Sequence, residues 1–384
     1  MSVEEQIFIG NGRSAKVYLS LKVDNHVATK IFTGESTSKA ILYVLTGSPN
    51  PYTWCEDAIK SAMMRRSLLS KLSLFWFSGK VRLPETYDYS WNEKEKAFQI
   101  EAEYIKGCHA PLRNPMVENP VDYTSELQQE IMAPLQQHLI DSGFDGLVWQ
   151  AGKGNPVAVS NFMVEFDEEG KHKWVWIDLE SGLPALFALN PISTLTYYLP
   201  KCIKHKEWLF DRVDTKKLSQ YLSLNKEELV NNFDNDTFDS LLEDCQKLED
   251  AQNAWKGIKR FRKSLYYAAS QRKISVEEKD YYENKPIRWY VKSIIMLMVS
   301  FFGRIPEKLK SFWAIITKLN LSKAYRRSWR YFTNGRYRWG FARWFVRGQI
   351  NSWQSRRSLT EAESVFLRNE LHNNDTSAYL TDFS

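Results

Sequence analysis

Gly10-Asn11-Gly12-Arg13-Ser14-Ala15-Lys16-Val17, followed by Val27-Ala28-Thr29-Lys30, governs how the rest of the chain is read. The glycines allow a tight turn and a close backbone approach to phosphate oxygens, whose charge free N–H groups can meet. Ile7 to Ile9, Val17 to Leu19 and Val27 to Phe32 read as three strands, with a turn at Asp24-Asn25 between the last two. Lys30 then lies inside an otherwise apolar strand. An ammonium buried alone is costly, so Lys30 requires anions, and phosphate oxygens plus a carboxylate would serve. Taken alone, the first segment reads as an ordinary hairpin turn and Lys30 as an edge residue facing water.

Residues 54–76 carry Ala58, Ala62, Leu69 and Leu72 at helical spacing. Val81 to Trp91 and Ala97 to Ile105 read as a hairpin turning at Asn92-Glu93-Lys94. Glu101 to Gly107 runs from a strand into a loop, and its backbone could bond the edge of a flat ring. Ser125 to Ile140 reads as a helix with a kink at Pro134. A second hairpin joins Phe162–Phe166 to Trp174–Ile177. Asn161 precedes it and Asp178 ends it, so two side-chain oxygens converge at one edge, a share of ligands that suits Mg²⁺. Separately each would read as a turn cap. Residues 204–283 are helical in character, with a helix start near Ser223 followed by Glu227 and Glu228. Thr360 and Glu363 form a capping box ahead of a final helix over 361–372.

In this order the segments resemble the protein-kinase-like superfamily over roughly residues 5–285. The glycine segment is similar to G-x-G-x-x-A-x-V and Val27 to Lys30 to V-A-x-K. Glu103 to Gly107 looks like the hinge between lobes. Asn161 falls on the catalytic-loop Asn and Asp178 on the Asp of D-F-G. The resemblance implies an α+β, bilobal kinase-like fold: a β-rich lobe over 1–106, a helical lobe over 107–285, and a basic, aromatic helical extension over 286–384. It implies that ATP lies against Gly10, Gly12, Ala15, Val17, Ala28, Glu103 and Ile105, and that Lys30 holds its phosphates. Asn161 and Asp178 would hold Mg²⁺. Glu56, or failing it Asp57, would brace Lys30 from the first helix.

One departure matters most. Where the family has its catalytic Asp, five residues before the metal-binding Asn, this chain has Pro156, and no carboxylate occurs between Asp145 and Asn161. Asp-Phe-Gly has become Asp178-Leu179-Glu180. Two readings follow: an ATP-binding pseudokinase, or an atypical phosphotransferase on a lipid-linked or small substrate, with Glu180 or Asp145 as base.

The 384 residues carry a net charge of +6, unevenly spread. Residues 308–360 hold 13 Lys or Arg and no acid, residues 361–384 sum to −4, and residues 1–307 to −3. Trp329, Trp339, Trp344 and Trp353 are interleaved with those arginines. Trp339, Ala342, Val346, Ile350 and Trp353 share one helical stripe, and Arg343 and Arg347 another. Indole at headgroup depth and arginine on lipid phosphate suit an anionic membrane surface over 286–357, at about 1 kcal/mol per basic residue. That places the protein at the cytoplasmic face of a membrane. Packing of the Trp and aliphatic stripes against the helical lobe is the second reading, and nucleic acid or an acidic protein ranks below it, because the apolar runs are too aliphatic for a nucleic-acid face. Four scattered cysteines and six scattered histidines give no disulfide framework, zinc site or hydrolase constellation. The first ten residues carry acids where an export signal needs bases, and no apolar run reaches the roughly 18–20 residues of a spanning helix.

Overall fold

The computed structural model describes residues 6–11, 15–21, 26–34, 46–110, 122–180, 191–205, 211–296, 329–330, 333–355 and 359–371, with single positions 39, 42, 43, 298 and 357. The chain is α+β, β-rich toward its amino terminus and helical toward its carboxy terminus. It divides into two compact units: Met1–Ala110 with Asp122–Pro286, and Ile287–Ser384 with Pro111–Val121.

The first unit opens on an antiparallel sheet of order β1-β2-β3-β6-β5: β1 (Gln6–Asn11), β2 (Lys16–Leu21), β3 (His26–Ile31), β6 (Ala97–Glu103) and β5 (Thr86–Asn92). Thus β3 is an interior strand, and Lys30 is not an edge residue. Val17 lies opposite Lys30 across β2–β3, so Val17, Ala28 and Lys30 share one face. Helix α1 (Glu56–Trp76) follows, and its Ala58, Ile59 and Ala62 join Phe32, Tyr52 and Ile100 in a buried cluster.

A second sheet runs in the order β4-β9-β8-β7: β4 (Val81–Arg82), β9 (His172–Trp176), β8 (Phe162–Phe166) and β7 (Cys108–His109). The long strand expected from Val81 to Trp91 is therefore two. Pro84 cannot donate to a ladder, and the two residues before Leu83 pair in parallel with β9 instead. The predicted kink at Pro134 takes a different form. The helix runs through a π-turn over Leu127–Met132 into α2 (Ala133–Asp141), which absorbs the missing proline N–H without a break.

Helices α3 (Thr215–Leu224), α4 (Lys226–Asn232) and α5 (Asn235–Lys256) complete the larger core with Leu218, Leu229 and Leu248. Helix α5 packs along α1, with Ser67 donating to Asp244 at 2.6 Å and Trp255 Nε1 to Ser61 at 3.2 Å. Helices α6 (Arg260–Ser270) and α7 (Val276–Glu283) then return to the tip of the β5–β6 hairpin. There Lys96 and Gln271 exchange hydrogen bonds at 3.2 and 2.8 Å. A buried knot ties these layers: Asp211 accepts from Tyr52 and from Lys256, and Arg65 donates to Tyr52 at 2.5 Å. Burial pushes the Asp211 carboxyl up, but Lys256 and then Arg65 outweigh it and hold it below its usual range.

In the second unit, residues 287–296 are helical, continuing from Pro286. Helices α8 (Gly335–Ser355) and α9 (Glu361–Glu370) form a hairpin over a small core of Val346, Ile350, Leu359, Leu367 and Leu371. The expected capping box of Thr360 and Glu363 starts α9.

Candidate functional site

The site forms where β3 meets the chain leaving the β8–β9 hairpin. Phe162 pairs with Trp176, and Ile177 N–H donates to Asn161 O at 2.8 Å, so Asn161 and Asp178 stand at the same end of the hairpin. Beyond Ile177 the chain leaves the sheet and carries Asp178 and Glu180 to Lys30. Lys30 Nζ lies 2.6 Å from Asp178 Oδ1 and 2.7 Å from Glu180 Oε2. Burial pushes the Lys30 ammonium down, but Asp178 and Glu180 outweigh it and hold it above its ordinary range.

The helix contributes a cation rather than an acid. Arg66, buried on α1, grips Glu180 through Nε at 2.7 Å and Nη2 at 3.0 Å. Glu180 is 1% exposed and so carries two counter-cations. Burial alone would raise its pKa; Arg66 and then Lys30 hold it well below the usual carboxylate range. Gln150 fixes the loop from behind. Its side chain donates to Glu180 O at 2.8 Å, while its O and Oε1 accept from Asn161 Nδ2 at 3.0 and 3.1 Å. Both Gln150 partners are acceptors, which sets the Asn161 amide with nitrogen toward Gln150 and leaves the oxygen as its metal-capable end.

Glu56 does not brace Lys30. It sits in the first turn of α1, largely exposed, paired with Lys60 at 3.1 Å and accepting from Tyr89 at 3.1 Å. Ten residues of helix, about 15 Å, separate it from Arg66, which sits at the level of the site. The carboxylates that pair with Lys30 come from the loop after β9, not from the helix. The sequence held a signal for this: Arg66 stands between Ala62 and Leu69 on the apolar stripe, where a buried guanidinium requires a carboxylate, and Glu180 was the surplus one.

Glu180 is also unsuited to act as a general base, because a buried, doubly paired carboxylate with depressed basicity does not accept a proton readily. Asp145, the other candidate, is engaged by Lys201, which also bonds Tyr197 at 2.8 Å. Pro156 heads a 3-10 turn over Pro156–Asn161 and brings no ionisable group. Beside it, Asn155 donates to Trp149 O at 3.3 Å, and its Oδ1 is buried without a partner.

Gly10 lies at a bulge in β1, where the register slips between Phe8 and Gly10. Gly12 lies outside the described residues. Ala15 is buried with Phe32 and Tyr52. Glu103 ends β6, and its carboxylate is held in a fork by Arg82 at 2.7 and 2.8 Å. Arg82 also takes Glu165 on β8 at 2.7 Å, which ties the ends of the two sheets together. Ile105 follows, buried, in irregular chain. An open cleft of about 810 Å³ lies elsewhere, between the β5–β6 hairpin and α6–α7, lined by Trp54, Trp91 and Ile274; no expected site residue lines it.

Two of these side chains have the donor chemistry of a Mg²⁺ site. Asp178 and Asn161 offer two hard oxygens, the small protein share that Mg²⁺ takes beside phosphate and water. No group of three or more His, Cys, Asp or Glu side chains placed to hold a metal occurs among the described residues. The chain matches no family model, no curated protein and no solved structure.

Proposed function

We propose that the site around Lys30, Asn161 and Asp178 binds Mg·ATP in the manner of kinase-like proteins, in a bilobal arrangement, and that it works without a general base. The observation that carries this reading is the meeting of Lys30 with Asp178 at 2.6 Å, across 148 residues of sequence. These are the residues that the resemblance assigns to phosphate and metal. Lys30 stands on the third strand, and Asn161 and Asp178 stand at one end of the β8–β9 hairpin, an arrangement that would let them position phosphate and metal as kinase residues do. Val17 and Ala28, on the face of Lys30, would border the adenine. Phosphate enters by replacing the carboxylates on Lys30.

The absence of an acid at Pro156, together with the engagement of Glu180 and Asp145, favours a nucleotide-binding pseudokinase over an efficient phosphotransferase. Slow transfer to a lipid-linked or small acceptor would rest on metal and positioning alone. Thermal shift and calorimetry with Mg·ATP test the reading. Wild type is expected to bind and to gain about 3 kcal/mol at a hundredfold excess over Kd. Lys30→Ala and Asp178→Ala are each expected to abolish the shift. No shift in wild type would sink the nucleotide reading. Rapid, stoichiometric transfer of labelled γ-phosphate to an acceptor would replace the pseudokinase with an enzyme.

A further inference from the structure

Two helices of the second unit show their apolar faces to solvent. In the run from 286, Ile287, Tyr290, Val291, Ile294, Ile295 and Met298 are all exposed, Ile287 at 78%. At about 100° per residue they occupy one stripe about 140° wide. Trp289 points to the opposite side and is fully buried, so the helix packs by its back and leaves its richer apolar face open. Arg288 and Lys292 lie along one border of the stripe.

Helix α8 repeats the pattern. Of the stripe expected from sequence, Val346, Ile350 and Trp353 face the hairpin core with Leu367, while the side chains of Trp339 and Ala342 lie outside those described. These three pack within the protein and are not a docking face. The opposite side carries Phe341, Trp344 and Phe345, with Trp344 exposed at 69%. Arg347 borders it, also exposed.

We propose that these two faces seat the protein on an anionic lipid bilayer, the helices lying in the plane of the interface. Three observations select the occupant. Residues 308–360 supply 13 basic residues and no acid, a charge complementary to an anionic surface. The open face of the first helix is aliphatic, which gains by burial among acyl chains and offers nothing for base stacking. Indole and phenyl beside arginine on α8 suit the headgroup boundary. The helices lie on the surface and do not cross it: no helix among the described residues is long and apolar enough to span a membrane. A second copy of the chain is a poor occupant, because it would set one basic border against another.

Flotation of the full-length protein tests this, with vesicles of phosphatidylcholine alone and with phosphatidylserine added, at low and high salt. The expected result is binding to the anionic vesicles, weakened by salt. Ile294→Glu and Trp344→Glu are each expected to lower the bound fraction about tenfold. Both positions are exposed, so circular dichroism should stay unchanged; Ile294→Leu should bind as wild type does. Absence of flotation with anionic vesicles overturns the proposal. So does binding that ignores both Glu variants, or salt-sensitive binding to DNA or RNA in place of lipid. A lipid-independent dimer that the same variants dissociate overturns it in favour of self-association. Mg·ATP binding is read separately, so neither result decides the other.

Discussion

Glu180 is the residue on which the site turns. It neutralises Arg66 and Lys30 together, in a place where neither cation can keep its water. Removing one partner from such a buried cluster costs about 3–5 kcal/mol, because it strands the others. Glu180→Gln is therefore expected to lose that much in urea unfolding at neutral pH. The pH dependence has a definite sign. In the unfolded chain this carboxyl titrates near its ordinary value, about 4.3. In the folded protein it stays ionised well below that. Its contribution is complete above the unfolded value and drains away as pH falls toward the folded one. Wild type should lose stability steeply below about pH 4.3, and Glu180→Gln should show a flatter acid limb. Lys30, Asn161 and Asp178 were legible in sequence because each belongs to a motif with local spacing. Arg66 was missed because its meaning depends on a partner 114 residues away.

At the scale of elements, periodicity and turn chemistry recovered most of what the chain builds. The strands on either side of the glycine turn, the β8–β9 hairpin, α1 and the capped α9 all stand where hydrophobic spacing and caps put them. What failed was non-local. The parallel pairing of β4 with β9 leaves no trace in the two residues that make it. Helix α5 shows a similar dependence on distant parts, since its end serves the amino-terminal sheet: Trp255 is buried with Phe32, Tyr52 and Ala58. Trp255→Ala should cost about 3–5 kcal/mol, read by denaturant unfolding. Gly107, directly before β7, tests the junction of the two sheets. A Cβ there would lie 2.4 Å from Val164 O, so the backbones must part to admit it. Gly107→Ala is expected to destabilise the protein by about 1–3 kcal/mol, by the same measurement.

For the molecule as a whole, the excess of positive charge is concentrated in the second unit, whereas Lys30, Arg66, Asp178 and Glu180 in the first are paired with one another. The second unit also has much the smaller apolar core among the described residues. Its amides should exchange hydrogen at lower opening free energies than those of α1 and β9, which native-state exchange will resolve. The ion cluster carries a consequence for biosynthesis. A ribosome adding roughly 5–20 residues per second needs about 6–23 s to travel from Arg66 to Glu180. Throughout that interval the emerging sheet and α1 hold two inward-facing cations with no native counter-charge. They cannot close to their final packing until the second hairpin has been synthesised. The amino-terminal part of the nascent chain is therefore completed by sequence made long after it, and premature termination before residue 180 should yield a fragment for quality control rather than a folded lobe.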